Sequence, residues 1–204
     1  LEGFNRGVYS FNQTMDGLIF DPIGDLYRAI TPDFIERGVT NFFNNLDDLS
    51  VIANEILQFK FDRASSDAAR FVINSTVGLL GFFDVSSEMG LSKHNEDFGQ
   101  TLAQWGFESG PYIVVPFFGP ASLRDLSSLV VDKGILNPMF YIEDDMTKSG
   151  LLTLNYIDFK SRFSSTRELV GAAALDEYEF IKNAYFEKRA YEINDGNVVD
   201  FIGE

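Results

Sequence analysis

The side chains best suited to chemistry lie in one short run, His94-Asn95-Glu96-Asp97, and His94 is the only histidine of the 204 residues. A histidine beside carboxylates can act as a general base oriented by an acid. The same run reads equally as a helix start. Asn95 or Asp97 would cap a helix running from Phe98, with acids favoured in the first turn by the helix dipole. The helix-start reading takes precedence, because no G-x-S-x-G nucleophile elbow accompanies the histidine. With no cysteine, disulfides, thiolate metal sites and cysteine nucleophiles are excluded, and one histidine excludes a multi-histidine metal centre. The acidic clusters Asp47-Asp48 and Glu143-Asp144-Asp145 lack the spaced oxygens and central glycine of a calcium loop. They read as solvated charged turns, and no metal site is expected. No phosphate-binding G-x-x-x-x-G-K-[ST] loop is present. Asn74-Ser75-Thr76 matches a glycosylation sequon, but it sits inside an apolar helical pattern and reads as chance. Neither a catalytic residue nor a cofactor is assigned.

Composition narrows the remaining classes. Sixteen Lys and Arg stand against 31 Asp and Glu, a formal charge of −15, while 21 residues are Phe. That charge argues against nucleic-acid partners, which require cationic side chains to replace phosphate counterions. The length fits one domain or at most two small ones, and the whole of 1–204 is taken as one unit. The longest apolar runs, Val77 to Phe83 and Tyr112 to Ala121, fall well short of the roughly 18 residues of a membrane-spanning helix. Period-2 alternation is not dominant, which argues against a transmembrane barrel. Leu1-Glu2-Gly3 opens directly in a polar-aromatic pattern and no signal peptide is read there.

The elements that must position these residues follow a helical period. Phe4, Val8, Phe11, Met15 and Leu18 repeat at spacings of four and three, with Asn5, Arg6, Asn12 and Gln13 elsewhere. Asp21-Pro22 predicts a break and restart, and Thr31-Pro32-Asp33 a second one. Ile35 to Ile56 keeps the rhythm, as one long helix or as two with a kink near Asn44-Asn45. A helix follows over 64–75, then a turn and short helix over 77–90, and another short helix over 98–105. Gly106 to Ala121 holds three Gly and three Pro and predicts an ordered loop or small hairpin. Ser122 followed by Asp125 predicts a capped helix to about Val131. Asn137-Pro138 breaks again. Helices over 146–163 and 172–193 complete the chain, the last with Tyr178, Ile181 and Tyr185 as its apolar stripe and turn chemistry at Asp195-Gly196-Asn197. The expected fold is all-α, a single domain of about seven to nine helices.

The doubled aromatics Phe42-Phe43, Phe82-Phe83 and Phe117-Phe118 need an explanation. Helical neighbours point about 100° apart, so both rings of a pair cannot face one narrow seam. Either a thick core absorbs them or some face lipid or a partner. A chain this short has limited burial capacity.

The motifs are similar, in order, to those of the VacJ/MlaA lipoproteins of Gram-negative bacteria. The matching runs are Leu1-Glu2-Gly3-Phe4-Asn5-Arg6, Asn41-Phe42-Phe43-Asn44-Asn45-Leu46, Arg70 to Gly78, and Gly81-Phe82-Phe83-Asp84-Val85. They continue through His94 to Leu102, Trp105-Gly106, Gly110-Pro111-Tyr112, Pro116, Gly119-Pro120 and Arg124-Asp125. The matches are collinear from residue 1 to about 132. The resemblance implies an all-α ring lying in one leaflet of the outer membrane on its periplasmic side. It implies an acylated cysteine upstream of Leu1, and a central amphipathic channel that passes mislocalised phospholipid from the outer leaflet to a periplasmic lipid-carrier protein, preserving lipid asymmetry. It also implies association with a trimeric outer-membrane porin. On that reading Phe42, Phe43, Phe82 and Phe83 are the membrane-facing candidates. Gly106, Gly110, Pro111, Tyr112, Ile113, Val115 and Phe117 are the channel or gate candidates, since the two glycines permit backbone angles closed to other residues and the prolines stiffen what lies between. His94, Glu96, Asp97, Arg124 and Asp125 are scaffold for that loop. Two alternatives stand beside it: a periplasmic lipid hydrolase using His94, and a structural adaptor that only docks a porin.

Overall fold

The computed structural model describes residues 1–173 and 175–197, and for residues 163–173 the backbone alone. The tail that would complete the expected unit to residue 204 lies outside the described residues. Helix dominates, as the periodicity predicts. α1 (Glu2–Met15) passes through a π turn (Asp16–Phe20) directly into α2 (Asp21–Ile30). The break expected at Asp21-Pro22 does not occur. Pro22 falls in the first turn of α2, and the wider π turn just before it absorbs the change of pitch. The break at Thr31-Pro32 is present, with both residues extended.

α3 (Asp33–Leu57) is one helix of 25 residues, without interruption at Asn44-Asn45. It packs along α4 (Phe61–Thr76). Its acidic pair is therefore not a solvated turn. Asp48 is buried and bonded to Lys93 Nζ, and Asp47 is half-buried beside Lys133. A tight loop leads to α5 (Val85–Glu88), then α6 (Phe98–Gln104). The Gly/Pro-rich segment forms an antiparallel hairpin of β1 (Tyr112–Val115) and β2 (Gly119–Ser122), with Tyr112 opposite Ser122 and Val115 opposite Gly119. Ser122 does not cap a helix directly. It ends β2 and accepts from the Asp125 N–H at 3.1 Å, and α7 (Leu126–Val130) begins one residue later, because Asp125 turns its carboxylate to Arg189 instead of to the helix end. A second π turn (Val131–Ile135) and a 3-10 turn capped by Asn137 (Pro138–Tyr141) lead to α8 (Asp145–Ala173) and α9 (Glu177–Ile193). The start expected for the last helix, at Ala172, belongs to α8. Asp176 caps α9 by accepting from Glu179 N–H.

Contacts between elements close a circuit. α2 packs on α8, α8 on α3, α3 on α6, α6 on α9, α9 on β2, β1 on α1, and α1 continues into α2. The architecture is an all-α ring interrupted only by the hairpin.

Candidate functional site

The ring is inverted relative to a water-soluble domain. Among the described residues eight hydrophobic side chains are fully buried, against 22 polar or charged ones. Buried polar residues and large exposed apolar patches are the informative departures from ordinary burial. α1 and α2 show how the inversion arises. The apolar stripe at Phe4, Phe11 and Leu18 faces outward, and Ile23, Leu26 and Ile30 continue it along α2. Asn5, Asn12 and Asp16, on the opposite face, are buried. No helix among the described residues is long and apolar enough to cross a membrane.

Asn5 and Asn12, seven residues apart and so on one helix face, act as a substitute strand. Asn5 Nδ2 donates to the Tyr112 carbonyl at 2.9 Å and its Oδ1 accepts from Val114 N–H at 3.0 Å. Asn12 Nδ2 donates to the Val115 carbonyl at 3.0 Å and its Oδ1 accepts from Phe117 N–H at 2.8 Å. These four bonds satisfy the open edge of β1, which would otherwise leave backbone groups without partners. Tyr112 and Val114 are buried, with Tyr112 ringed by Tyr178, Tyr185 and Phe186 at centroid distances of 5.6–6.2 Å. Burial, reinforced by the neighbouring Tyr178 and Tyr9, pushes the Tyr112 hydroxyl pKa above the usual phenol range.

The candidate residues of 106–117 therefore divide. Tyr112 faces the aromatic core, Ile113 and Val115 are half-buried, and Phe117 at the turn is partly exposed with φ +68°. Gly106, Gly110 and Pro111 are exposed, and both glycines adopt left-handed angles, φ +89° and +69°. The aromatic pairs divide too. Phe43 is buried at 3% exposure and belongs to the core, contrary to the membrane-facing assignment, because its position on α3 points inward. Phe42 and Phe82 are half-buried, Phe82 lying where any side chain on Gly38 would go, while Phe83 is 51% exposed.

Asp97 caps α6, accepting from Gln100 N–H at 2.9 Å. Arg189 of α9 spans Asp97 and Asp125, at 3.0 Å to Asp125 Oδ1, and Arg124 adds a contact of 3.0 Å to the same oxygen. Burial would lower the Arg189 pKa, but the two carboxylates outweigh it and hold the guanidinium firmly charged. Glu96 binds Lys60 Nζ at 2.8 Å and accepts from Gln58. On the inner face of α3, Asn54 donates to Asp132 at 2.7 Å and accepts from Thr101 at 2.8 Å. Burial lifts Asp132 to about 6, against hydrogen bonds from Phe98 N–H and Asn54 that favour its charged form. Asn74, the sequon residue, is buried and bonded to Asp84 and to Ser86 N–H. An open surface pocket lies between α3 and α8, lined by Asp33, Glu36, Arg37, Thr40, Asn41 and Arg162.

His94 meets Asp67 of α4, Nδ1 to Oδ2 at 2.7 Å, with Glu55 of α3 behind it at 3.8 Å. Sequence spacing gave no sign of this group, since its members lie on three separate segments. Asn5 and Asn12 were placed only off the apolar face of the first helix, although their seven-residue spacing is the signal that could have found them.

The family described as "MlaA lipoprotein" matches residues 1–192. The intermembrane phospholipid transport system lipoprotein MlaA of Escherichia coli (strain K12) is 30% identical over 97% of this chain and 79% of that protein. The protein of the same name from Haemophilus influenzae is 28% identical over 98% of this chain and 81% of its own length. An uncharacterised protein of Rickettsia felis is 33% identical over 92% of this chain and 75% of that one. A solved structure described as "Structural basis for maintenance of bacterial outer membrane lipid asymmetry" superposes with a TM-score of 0.81 at 27% identity, covering 95% of this chain and 98% of that one. The ring with its polar interior and the motifs from Leu1 to Asp125 thus have the same explanation as the match across 192 residues: the chain belongs to the MlaA lipoprotein family.

Proposed function

We propose that this chain is an outer-membrane component of intermembrane phospholipid transport. It lies in the periplasmic leaflet and passes phospholipid inward, without covalent chemistry, to preserve lipid asymmetry. The observation that carries this reading is the inversion of burial: outward Phe4, Phe11, Leu18, Leu26 and Ile30 enclose a polar interior. A helix pair that is apolar outside and polar inside suits a protein lying within one leaflet, where acyl chains replace water as the outer solvent. The pocket between α3 and α8 offers two arginines beside two acids, a charge set that complements the phosphate and ammonium of a zwitterionic headgroup. The hairpin, tied on one side by Asn5 and Asn12, serves as the gate. Membership in a lipoprotein family supports an acyl anchor preceding Leu1, and the transport role supports a trimeric porin and a periplasmic lipid carrier as partners.

Lipid extraction and mass spectrometry of the detergent-purified chain test the proposal. Phospholipid co-purifying in stoichiometric amount, and reduced by Arg37→Ala with Arg162→Ala, is the expected result. Lipid-free protein from a phospholipid-replete membrane would favour a porin-docking adaptor. Lysophospholipid and free fatty acid accumulating with the wild type but not with His94→Ala would favour a hydrolase.

A further inference from the structure

The group formed by Glu55, Asp67 and His94 has no part in the transport reading, yet it is built as a ligand set. One ligand atom from each lies within 4.8 Å of the others. Each comes from a different element: α3, α4 and the loop between α5 and α6. Glu55 and Asp67 are fully buried. Neither Glu55 oxygen has a hydrogen-bond partner, and an Asp67 carboxylate oxygen lies within 4.8 Å of it. A buried carboxylate without a partner, next to a second carboxylate, is costly unless a proton or a cation compensates it.

Around the group, Asp67 Oδ1 lies 3.8 Å from Arg70 Nε and 3.5 Å from the His94 backbone nitrogen, while its Oδ2 meets the imidazole. Arg70 is itself held by Asp84, Ser87 and the Leu91 carbonyl. The His94 side chain is 27% exposed, so the site has a path to solvent. Bonds of about 2.1 Å in a tetrahedron place ligands about 3.4 Å apart. From Nδ1, Glu55 lies 3.8 Å away, near that value, while Asp67 at 2.7 Å is at hydrogen-bond distance, so binding an ion parts His94 and Asp67 by several tenths of an ångström.

We propose that Glu55, Asp67 and His94 bind one Zn²⁺ ion, with a fourth position left to water, and that the ion ties α3, α4 and the 91–97 loop together. One imidazole and two carboxylates suit a borderline-soft cation better than Ca²⁺ or Mg²⁺, which prefer all-oxygen sets. The His94 Nδ1 lone pair binds the ion with the ring proton on Nε2. The function of the tie is structural: it fixes the loop that delivers Glu96 and the Asp97 cap.

His94 is the only imidazole, so its ¹⁵N resonances are unambiguous. The detergent-solubilised full chain is stripped with chelator and titrated with Zn²⁺. The expected result is one Zn²⁺ per chain by calorimetry, with the Nδ1 resonance moving to a metal-bound position in step. Glu55→Gln and Asp67→Asn keep side-chain shape and should each weaken binding by about 1,000-fold, beyond the roughly 10- to 100-fold cost of losing an outer-shell partner. Asp144→Asn, at an exposed acid, should leave it unchanged. Imidazole resonances unmoved at saturating Zn²⁺ overturn the proposal, as does equal binding by the wild type and both folded variants. Should a variant fail to fold, the imidazole spectrum of the native chain decides alone. Loss of lipid binding leaves this result untouched, so the transport reading and the metal site fail separately.

Discussion

At the scale of residues, polar side chains here replace the work that apolar packing does in water-soluble domains. Asp84 is the clearest case. It caps α5 through Ser87 N–H, accepts from Asn74 at 3.0 Å, and pairs with the buried Arg70 at 3.1 Å. Burial alone would raise its pKa, but the hydrogen bonds from Ser87, Ser86 and Asn74 prevail and hold it below the usual carboxylate range. A folded pKa below the unfolded value of about 3.9 gives stability that is present above that pH and is lost as pH falls through the folded value. Asp84→Ala should therefore cost roughly 3 kcal/mol at pH 7, from the lost cap and an uncompensated buried guanidinium. In urea titrations the gap between variant and wild type should narrow steadily below pH 4. A gap independent of pH would show that Asp84 acts by shape and not by charge.

At the scale of elements, the connections hold backbone conformations that the helices do not. Leu79, Leu80 and Gly81 are consecutively left-handed, at φ +53°, +60° and +89°, and both leucines are exposed. Such angles cost a side-chain-bearing residue about 1–2 kcal/mol each. The strain is offset where Gly81 closes against Asn45 and Phe82 lies against Gly38. The two glycines before the hairpin differ in surroundings. A side chain at Gly106 would meet nothing, whereas one at Gly110 would press on Leu123 at 3.1 Å. Gly106→Val should thus lower stability by about 1–2 kcal/mol through backbone angle alone, and Gly106→Asn, which tolerates left-handed angles, should recover most of it. If the hairpin gates lipid, Gly106→Val should slow lipid transfer between donor and acceptor vesicles more than this destabilisation explains, and Gly106→Asn should restore it. Transfer that merely tracks the thermal midpoint across both variants identifies an ordinary turn.

At the scale of the whole molecule, the ring exposes its apolar side chains and keeps its polar ones inside. Leu18 and Leu26 are 74% and 59% exposed on one continuous face of α1 and α2. Charges placed on a surface facing water change stability by less than about 0.5 kcal/mol, while charges placed against acyl chains are expensive. Leu18→Glu with Leu26→Glu should therefore abolish co-sedimentation with phospholipid vesicles and leave the thermal midpoint in solution within a degree or two. Unchanged vesicle binding would place the membrane contact elsewhere on the ring.

Much of the fold was legible in the chain. Spacings of three and four residues fixed helix type over α1, α3, α4 and α9, because local backbone pairing and one-faced patterning are properties of neighbours in sequence. Proline at Thr31-Pro32 and the glycine-proline cluster marked real turns, since both residues restrict or free the backbone wherever they stand. The short apolar runs argued against spanning helices, and no helix among the described residues is long and apolar enough to cross a membrane. Periodicity says which residues share a face, but not which face looks outward. That is why Phe43 was read as membrane-facing and proved buried, and why Asn5 and Asn12 were placed only off the apolar face. Only tertiary packing decided those orientations, because direction is set by the neighbouring elements, here the hairpin edge that needs the asparagines and the acyl or aqueous surroundings that accept the phenylalanines. The same holds for Glu55, Asp67 and His94, which 39 residues of chain separate and the packing of α3, α4 and the following loop brings within 4.8 Å.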